Sequence, residues 1–143
     1  MSTNSRIAIE NESGTVTSIY CHWDGYPEYV GKMLHEHYND KEKVKKLIDL
    51  GSISSLSENV HAPEGVKHDF ENPAHGVTVA YHRDRGETLD QNINTSVEQF
   101  FSGDIEEYGY CFTAAGEWIF KSAEQSYDEV KPLEDILKER ISV

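Results

Sequence analysis

The chain has 143 residues, 37% of them hydrophobic, and sets 26 acidic residues against 13 Lys and Arg for a formal net charge of -13. That length suffices for one domain with a real core, while no run approaches the ~20 apolar residues that cross a bilayer. The charge argues against direct binding to a nucleic-acid backbone, which needs a basic stripe to displace counterions, and against docking on an anionic membrane.

Taken in chain order, Arg6–Glu10 alternates, Asn11-Glu12-Ser13-Gly14 supplies turn residues, and Thr15–Trp23 is rich in β-branched and aromatic side chains. This pattern predicts a β-hairpin. Asp24-Gly25 ends its second strand, and Pro27 suits the first turn of a helix over about 27–38, with Val30, Met33 and Leu34 at helical spacing. Asn39-Asp40 caps a second helix, Lys41–Leu50, which turns Val44, Leu47 and Ile48 inward and stops at Gly51. Ile53 and Leu56 tuck the next turn back. Residues 57–76 hold two prolines, two glycines and few apolar anchors, which predicts a long mobile loop.

Gly76–His82 reads as a strand and Arg83–Gly86 as a turn. Thr95-Ser96-Val97-Glu98 offers a capping box for a short helix carrying Val97, Phe100 and Phe101. Tyr108–Thr113 and Trp118–Lys121 form a second hairpin around Ala114–Glu117. An amphipathic helix over about 131–141 follows, turning Leu133, Ile136, Leu137 and Ile141 inward. The order contains no regular βαβ alternation, which predicts a single α+β domain over 1–143. Its sheet is expected to be antiparallel, of about five strands (two hairpins plus one strand), with helices packed on it.

Cys21 and Cys111 lie far apart, and Met1–Arg6 lacks the apolar stretch of a secretory signal; both features fit reduced thiols in a cytoplasm. Seven histidines raise the question of a metal. His35-x-His37 falls on different faces of the predicted helix, and His61, His68, His75 and His82 are separated by Pro63 and Pro73. No zinc, EF-hand, phosphate-loop or nucleophile-elbow pattern is present, so neither metal, cofactor nor catalytic residue is expected.

The densest group of functional side chains is Tyr20-Cys21-His22-Trp23-Asp24-Gly25-Tyr26-Pro27-Glu28-Tyr29. His22, Trp23, Asp24, Tyr26 and Tyr29 are the candidate ligand or partner surface, since aromatic faces beside hydrogen-bonding groups make good recognition sites. The competing structural reading is that they anchor helix to hairpin. The second feature is charge: residues 87–143 hold 13 acids and 4 bases, against 13 and 9 in residues 1–86. Asp104, Glu106, Glu107, Asp128, Glu129, Glu134 and Asp135, with Glu98, Glu117, Glu124 and Glu139, are candidates for an acidic partner surface. Spaced carboxylates can imitate a phosphate backbone and occupy the basic groove of a nucleic-acid-binding protein.

The segment Tyr20-x-His22-Trp23-Asp24-Gly25-Tyr26-Pro27, followed by Gly31-x-x-Leu34-x-x-His37-Tyr38 and Leu50-Gly51-Ser52-Ile53-Ser54-Ser55-Leu56, resembles a family of small, mostly uncharacterised bacteriophage proteins. The hairpin Tyr108-Gly109-Tyr110-Cys111-Phe112 with Gly116-Glu117-Trp118 is similar to the family's C-terminal half. The resemblance covers most of the chain and implies an accessory phage product acting in the host cytoplasm on host machinery or host defence. The family has no settled activity, so it implies no catalytic residue. Three readings follow: a non-enzymatic binder of a host protein; a small-ligand, nucleotide-type binder using His22–Tyr29 with His61 and His68; and a hydrolase using His22 as base and Asp24 to orient it.

Overall fold

A computed structural model describes residues 2–140. Strands β1 (Ser5–Glu10) and β2 (Val16–Cys21) form the expected antiparallel hairpin. Its turn is closed by the Asn11 N–H donating to the Thr15 carbonyl at 2.8 Å, with Gly14 at φ 89°. Pro27–Gly31 then winds one π-helical turn, which continues directly into α1 (Lys32–His37). Helix α2 (Lys41–Asp49) starts where the Asp40 carboxylate accepts from the Lys43 N–H, leaving Val44, Leu47 and Ile48 buried. Then come β3 (Ile53–Ser55), β4 (Val79–Ala80), α3 (Tyr81–Arg85), β5 (Asn92–Asn94), α4 (Val97–Ser102), β6 (Tyr108–Phe112) and β7 (Trp118–Ser122). After a 3₁₀ turn (Tyr127–Glu129), β8 (Lys131–Pro132) and α5 (Leu133–Arg140) complete the described residues. Ile141, expected on the inward face of the last helix, lies outside them.

The α+β class holds, but the expected five-stranded antiparallel sheet is incorrect. The eight strands form one mixed sheet in the order β4-β3-β2-β1-β6-β7-β8, with β5 also on β2. β1 pairs with β6 in parallel, in register Ser5↔Tyr108 through Ile9↔Phe112, and β2 pairs with β3 in parallel at Cys21↔Ile53. The two hairpins therefore join side by side through β1, which becomes a central strand. Three further strands, β3, β5 and β8, are two or three residues long and carry too little alternation to be read locally. The strand expected over 76–82 shrinks to Val79–Ala80, because Tyr81 opens a one-turn helix that Gly86 closes at φ 74°.

Both sheet faces are covered. On one, Ile7, Ile9, Ile19, Cys21, Tyr110, Phe112 and Phe120 pack under α1, α2, α5 and the π turn. Burying each such Ile, Leu or Phe stabilises by about 1.5–3 kcal/mol. The buried Trp118 indole donates to the Tyr38 carbonyl at 2.8 Å, and the Tyr110 hydroxyl donates to the Gly25 carbonyl at 2.7 Å. On the other face, Ala8, Val16 and Cys111 lie under Phe100 and Phe101 of α4 and Ile105. Beside that smaller core the same face turns polar, with Arg6, Ser18 and Tyr20 aligned across β1 and β2 by the strand period of two.

Candidate functional site

The aromatic segment begins where β2 leaves the sheet. The backbone of His22 and Trp23 continues the ladder by donating to the Ile53 and Ser54 carbonyls at 3.1 and 2.9 Å. Asp24 then takes a left-handed conformation (φ 56°), turning the chain into the π helix. At Gly25 the backbone passes so close to Ser5 that a Cβ would sit 2.7 Å from the Ser5 Cβ. The spine of the motif is thus architectural, while part of its side-chain set faces solvent.

The Tyr20 hydroxyl meets His22 Nδ1 at 2.7 Å, and the imidazole packs edge-on against Trp23 with centroids 4.7 Å apart. The indole remains 43% exposed. Asp24 is exposed and accepts from the Tyr26 hydroxyl at 3.2 Å; that carboxylate pushes the Tyr26 phenol above its ordinary range. Tyr29 turns away and donates to the Leu56 carbonyl at 2.7 Å. Of the five residues singled out, the structure gathers His22 and Trp23, with Tyr20, into one shelf. Asp24 and Tyr26 form a second pair, and Tyr29 fastens the helical segment. His22 is oriented by Tyr20, while Asp24 is engaged with Tyr26, so the base and orienting carboxylate of a hydrolytic dyad are not paired.

Part of the acidic set lies beside the shelf. Asn4 is the clasp: its amide donates to the His22 carbonyl at 2.8 Å, its backbone N–H donates to the Glu107 carboxylate at 2.7 Å, and its carbonyl accepts from the Glu107 N–H at 3.1 Å. Next to it, half-buried Glu106 sits at φ 63°, the second non-glycine residue in left-handed space, and its N–H donates to Asp104 Oδ1 at 2.9 Å. Burial, with repulsion from Asp104, raises the Glu106 carboxyl above its ordinary value. Burial also raises the Tyr20 phenol, with Glu106 the next contributor. Among the described residues, Asp24, Asp104, Glu106 and Glu107 have no ion-pair partner within 4.0 Å, whereas Glu12, Glu28, Asp84, Glu87, Glu134 and Glu139 do. The remaining acids serve elsewhere. Glu129 closes a capping box with Ser126, whose hydroxyl also donates to Asp128. Glu134 pairs with Lys138, and Asp135 is an exposed residue of the first turn of α5.

Two features have no sequence motif behind them. Arg6 is only 7% exposed, and its Nε and Nη2 donate to the Ser18 hydroxyl and carbonyl at 3.1 and 3.2 Å. Burial lowers its proton affinity, which the fields of Asp90, Glu106 and Asp104 partly restore. The one available signal was that Arg6 and Ala8 share a face. The second feature gathers two of the three histidines of segment 57–76. His68 bonds to Asp84, and His61 stands 3.5 Å from Arg83 Nη1. Neither ring hydrogen-bonds to the His22–Tyr29 segment.

Shallow clefts of about 140 to 270 Å³ among the described residues include one beside the aromatic segment, lined by Glu28, Tyr29, Met33 and His37, one lined by Lys43, Lys46, Asn59 and His61, and one lined by His35, Asn39, Glu117 and Trp118. Among the described residues, no three His, Cys, Asp or Glu side chains gather to hold a metal ion, and no helix is long and apolar enough to cross a membrane. Burial pushes the thiols of Cys21 and Cys111 up to about 12, which leaves them without nucleophilic character near neutrality. Compared with known proteins, the chain matches no family model, no curated protein and no solved structure.

Proposed function

We propose that the protein is a non-enzymatic accessory protein of bacteriophage origin that acts in the host cytoplasm by binding a host protein. Its partner presents a basic, nucleic-acid-binding groove, and the end of the sheet bearing Tyr20, His22, Trp23, Asp104, Glu106 and Glu107 occupies it. The observation that carries this reading is the pairing of a fixed, half-exposed indole with carboxylates that make no direct ion pair, although the field of the buried Arg6 reaches Glu106. Tyr20 and His22 hold the ring in place before binding, so little side-chain entropy is lost on contact. Carboxylates held apart by backbone geometry offer spaced negative charge to a cationic surface.

The test is capture from a bacterial host extract by the wild type and by two variants, Trp23→Ala and the double change Asp104→Asn with Glu106→Gln. Capture is repeated from about 50 mM to about 500 mM salt, since exposed charge pairs weaken as screening increases. A nucleic-acid-binding protein should be retained by the wild type, released by rising salt and by added duplex DNA, and depleted at least tenfold with either variant. Retention of the same proteins by all three forms, insensitive to salt and DNA, would rule the proposal out.

A further inference from the structure

We propose that His68 is an acid-sensitive latch holding the segment between β3 and β4 against the domain, a role independent of the binding surface at Trp23. From His61 to Gly76 no side chain enters either hydrophobic core; most of the segment's ties to the domain are polar and converge on α3, where the Phe70 ring also packs against Tyr81 with centroids 5.6 Å apart. Arg83 donates from Nη1 to the Val60 carbonyl at 2.6 Å and from Nη2 to the Thr78 carbonyl at 2.7 Å. It also grips Asp84 through Nε at 2.8 Å and Nη2 at 3.0 Å. Asp84 accepts in addition from the Ala80 N–H at 2.8 Å, and its carbonyl receives the Phe70 N–H at 3.2 Å. His68 completes the cluster with a side chain only 5% exposed, facing an Asp84 side chain 3% exposed.

The two ring nitrogens of His68 fix its protonation state. The Ala74 N–H donates to Nδ1 at 2.9 Å, so Nδ1 carries no proton. Nε2 lies 3.1 Å from an Asp84 oxygen and must supply the hydrogen of that bond. Only the neutral Nε2–H tautomer satisfies both contacts. A proton added at Nδ1 would set two N–H groups against each other at Ala74. It would also place a cation beside Arg83 Nη2, 3.4 Å away.

Asp84 faces the ring with the opposite charge, but its carboxylate is already shared with Arg83. Other charged or titratable groups near the cluster are His61, which contacts Arg83, Asp69, whose carboxylate accepts the Asn72 N–H, the chain neighbour Lys67, and Tyr81 under Phe70. Farther out, Arg85 lies over the Phe70 ring and pairs with Glu87. None of these is bonded to Nδ1, which faces the Ala74 N–H. Acid therefore expels the ring, Ala74 loses its acceptor, and the stretch around Ala74 loosens while the sheet stays folded and Arg83 keeps its bonds to Val60 and Thr78.

The experiment is amide hydrogen exchange by NMR on the full chain from about pH 7.5 to about pH 5, the range over which imidazoles take up a proton. Rates are expressed as protection factors to remove the intrinsic pH dependence of exchange. Wild type should lose at least tenfold protection at Ala74 over this range, with amides of β1 and β6 unchanged. His68→Gln should show no such step. Nitrogen shifts of the wild-type ring at pH 7.5 should report the Nε2–H tautomer, a reading that stands even if the variant fails to fold. A constant Ala74 protection, a step that persists in His68→Gln, or an Nδ1–H ring at pH 7.5 would each overturn the latch.

Discussion

Gly25 shows how tightly the aromatic segment is tied to the start of the chain. Its backbone lies over Ser5, and the Tyr110 hydroxyl rises through the core to its carbonyl. Gly25→Ala should destabilise by about 1–3 kcal/mol, because Ser5 and the adjacent Asn4 backbone leave the added methyl no room; urea denaturation checks this, and an unchanged midpoint would show that the two segments can separate. Two carboxylates make opposite predictions with pH. Burial raises the Asp84 carboxyl, but bonds from Arg83, Ala80 and His68 outweigh it and leave the net value below the ordinary 3.8. Asp84 therefore contributes stability present above that value and lost as pH falls through the folded one. Glu106 is raised above its ordinary 4.5, so it costs stability near neutrality and the cost fades as pH falls through the folded value. At neutral pH, Asp84→Asn should cost about 1.5–3 kcal/mol, the range for hydrogen bonds to a charged group, and Glu106→Gln should stabilise. The Glu106→Gln gain should vanish below 4.5 and the Asp84→Asn loss should shrink below 3.8, which a pH series of denaturation midpoints measures directly. The side chains of the shelf were legible as a dense polar-aromatic run. The strain at Glu106 and the burial of Arg6 were not, since both depend on residues about 100 positions or more away pairing with β1.

Among the elements, helices were legible wherever apolar spacing and a cap agreed, as in α2 with Asp40. The short helix α4 shows the limit of reading motifs locally. Its sequence offers Thr95 with Glu98 as the capping box, but the structure uses Ser96, whose hydroxyl accepts from the Gln99 N–H at 3.0 Å. The Gln99 side chain accepts from the Thr95 N–H at 2.6 Å, one residue before the cap, so the cap moves by one residue without closing a full capping box. The shift places Phe100 and Phe101 against the sheet. Ser96→Ala should then cost about 1 kcal/mol, while Glu98→Ala should cost a few tenths at most; thermal melts of the two variants separate these assignments. Strands β3, β5 and β8 escaped detection for a different reason. Ser, Asn, Lys and Pro in runs of two or three form strands only because β2 and β7 present unpaired edges to them.

For the whole molecule, the charge imbalance and the parallel junction between the hairpins matter most. Lys41, Arg83, Arg85, Lys138 and Arg140 are drawn into ion pairs, and residues 87–143, with 13 acids against 4 bases, carry net negative charge. Self-repulsion of a compact state carrying -13 is relieved by screening. Thermal stability should therefore rise between about 20 mM and about 500 mM NaCl, the reverse of what a fold held by surface ion pairs would show. A melting temperature that fell with salt would instead assign net stabilisation to pairs such as Lys41–Glu12 and Arg140–Glu28. Composition gave this property directly, whereas the sheet's connectivity did not follow from it. Two hairpins read separately are compatible with several sheets, and the parallel one is seen only in the long-range register from Ser5↔Tyr108 to Ile9↔Phe112.

That junction has a consequence for biosynthesis. Ser5–Glu10 is flanked on one side by a partner made at once and on the other by Tyr108–Phe112, roughly a hundred codons later. At translation rates of about 5–20 residues per second, the first strand leaves the ribosome with one edge bare and waits roughly 5–20 seconds for its neighbour. During that interval the nascent polypeptide presents an unpaired row of backbone N–H and C=O groups, the point at which misassembly would begin.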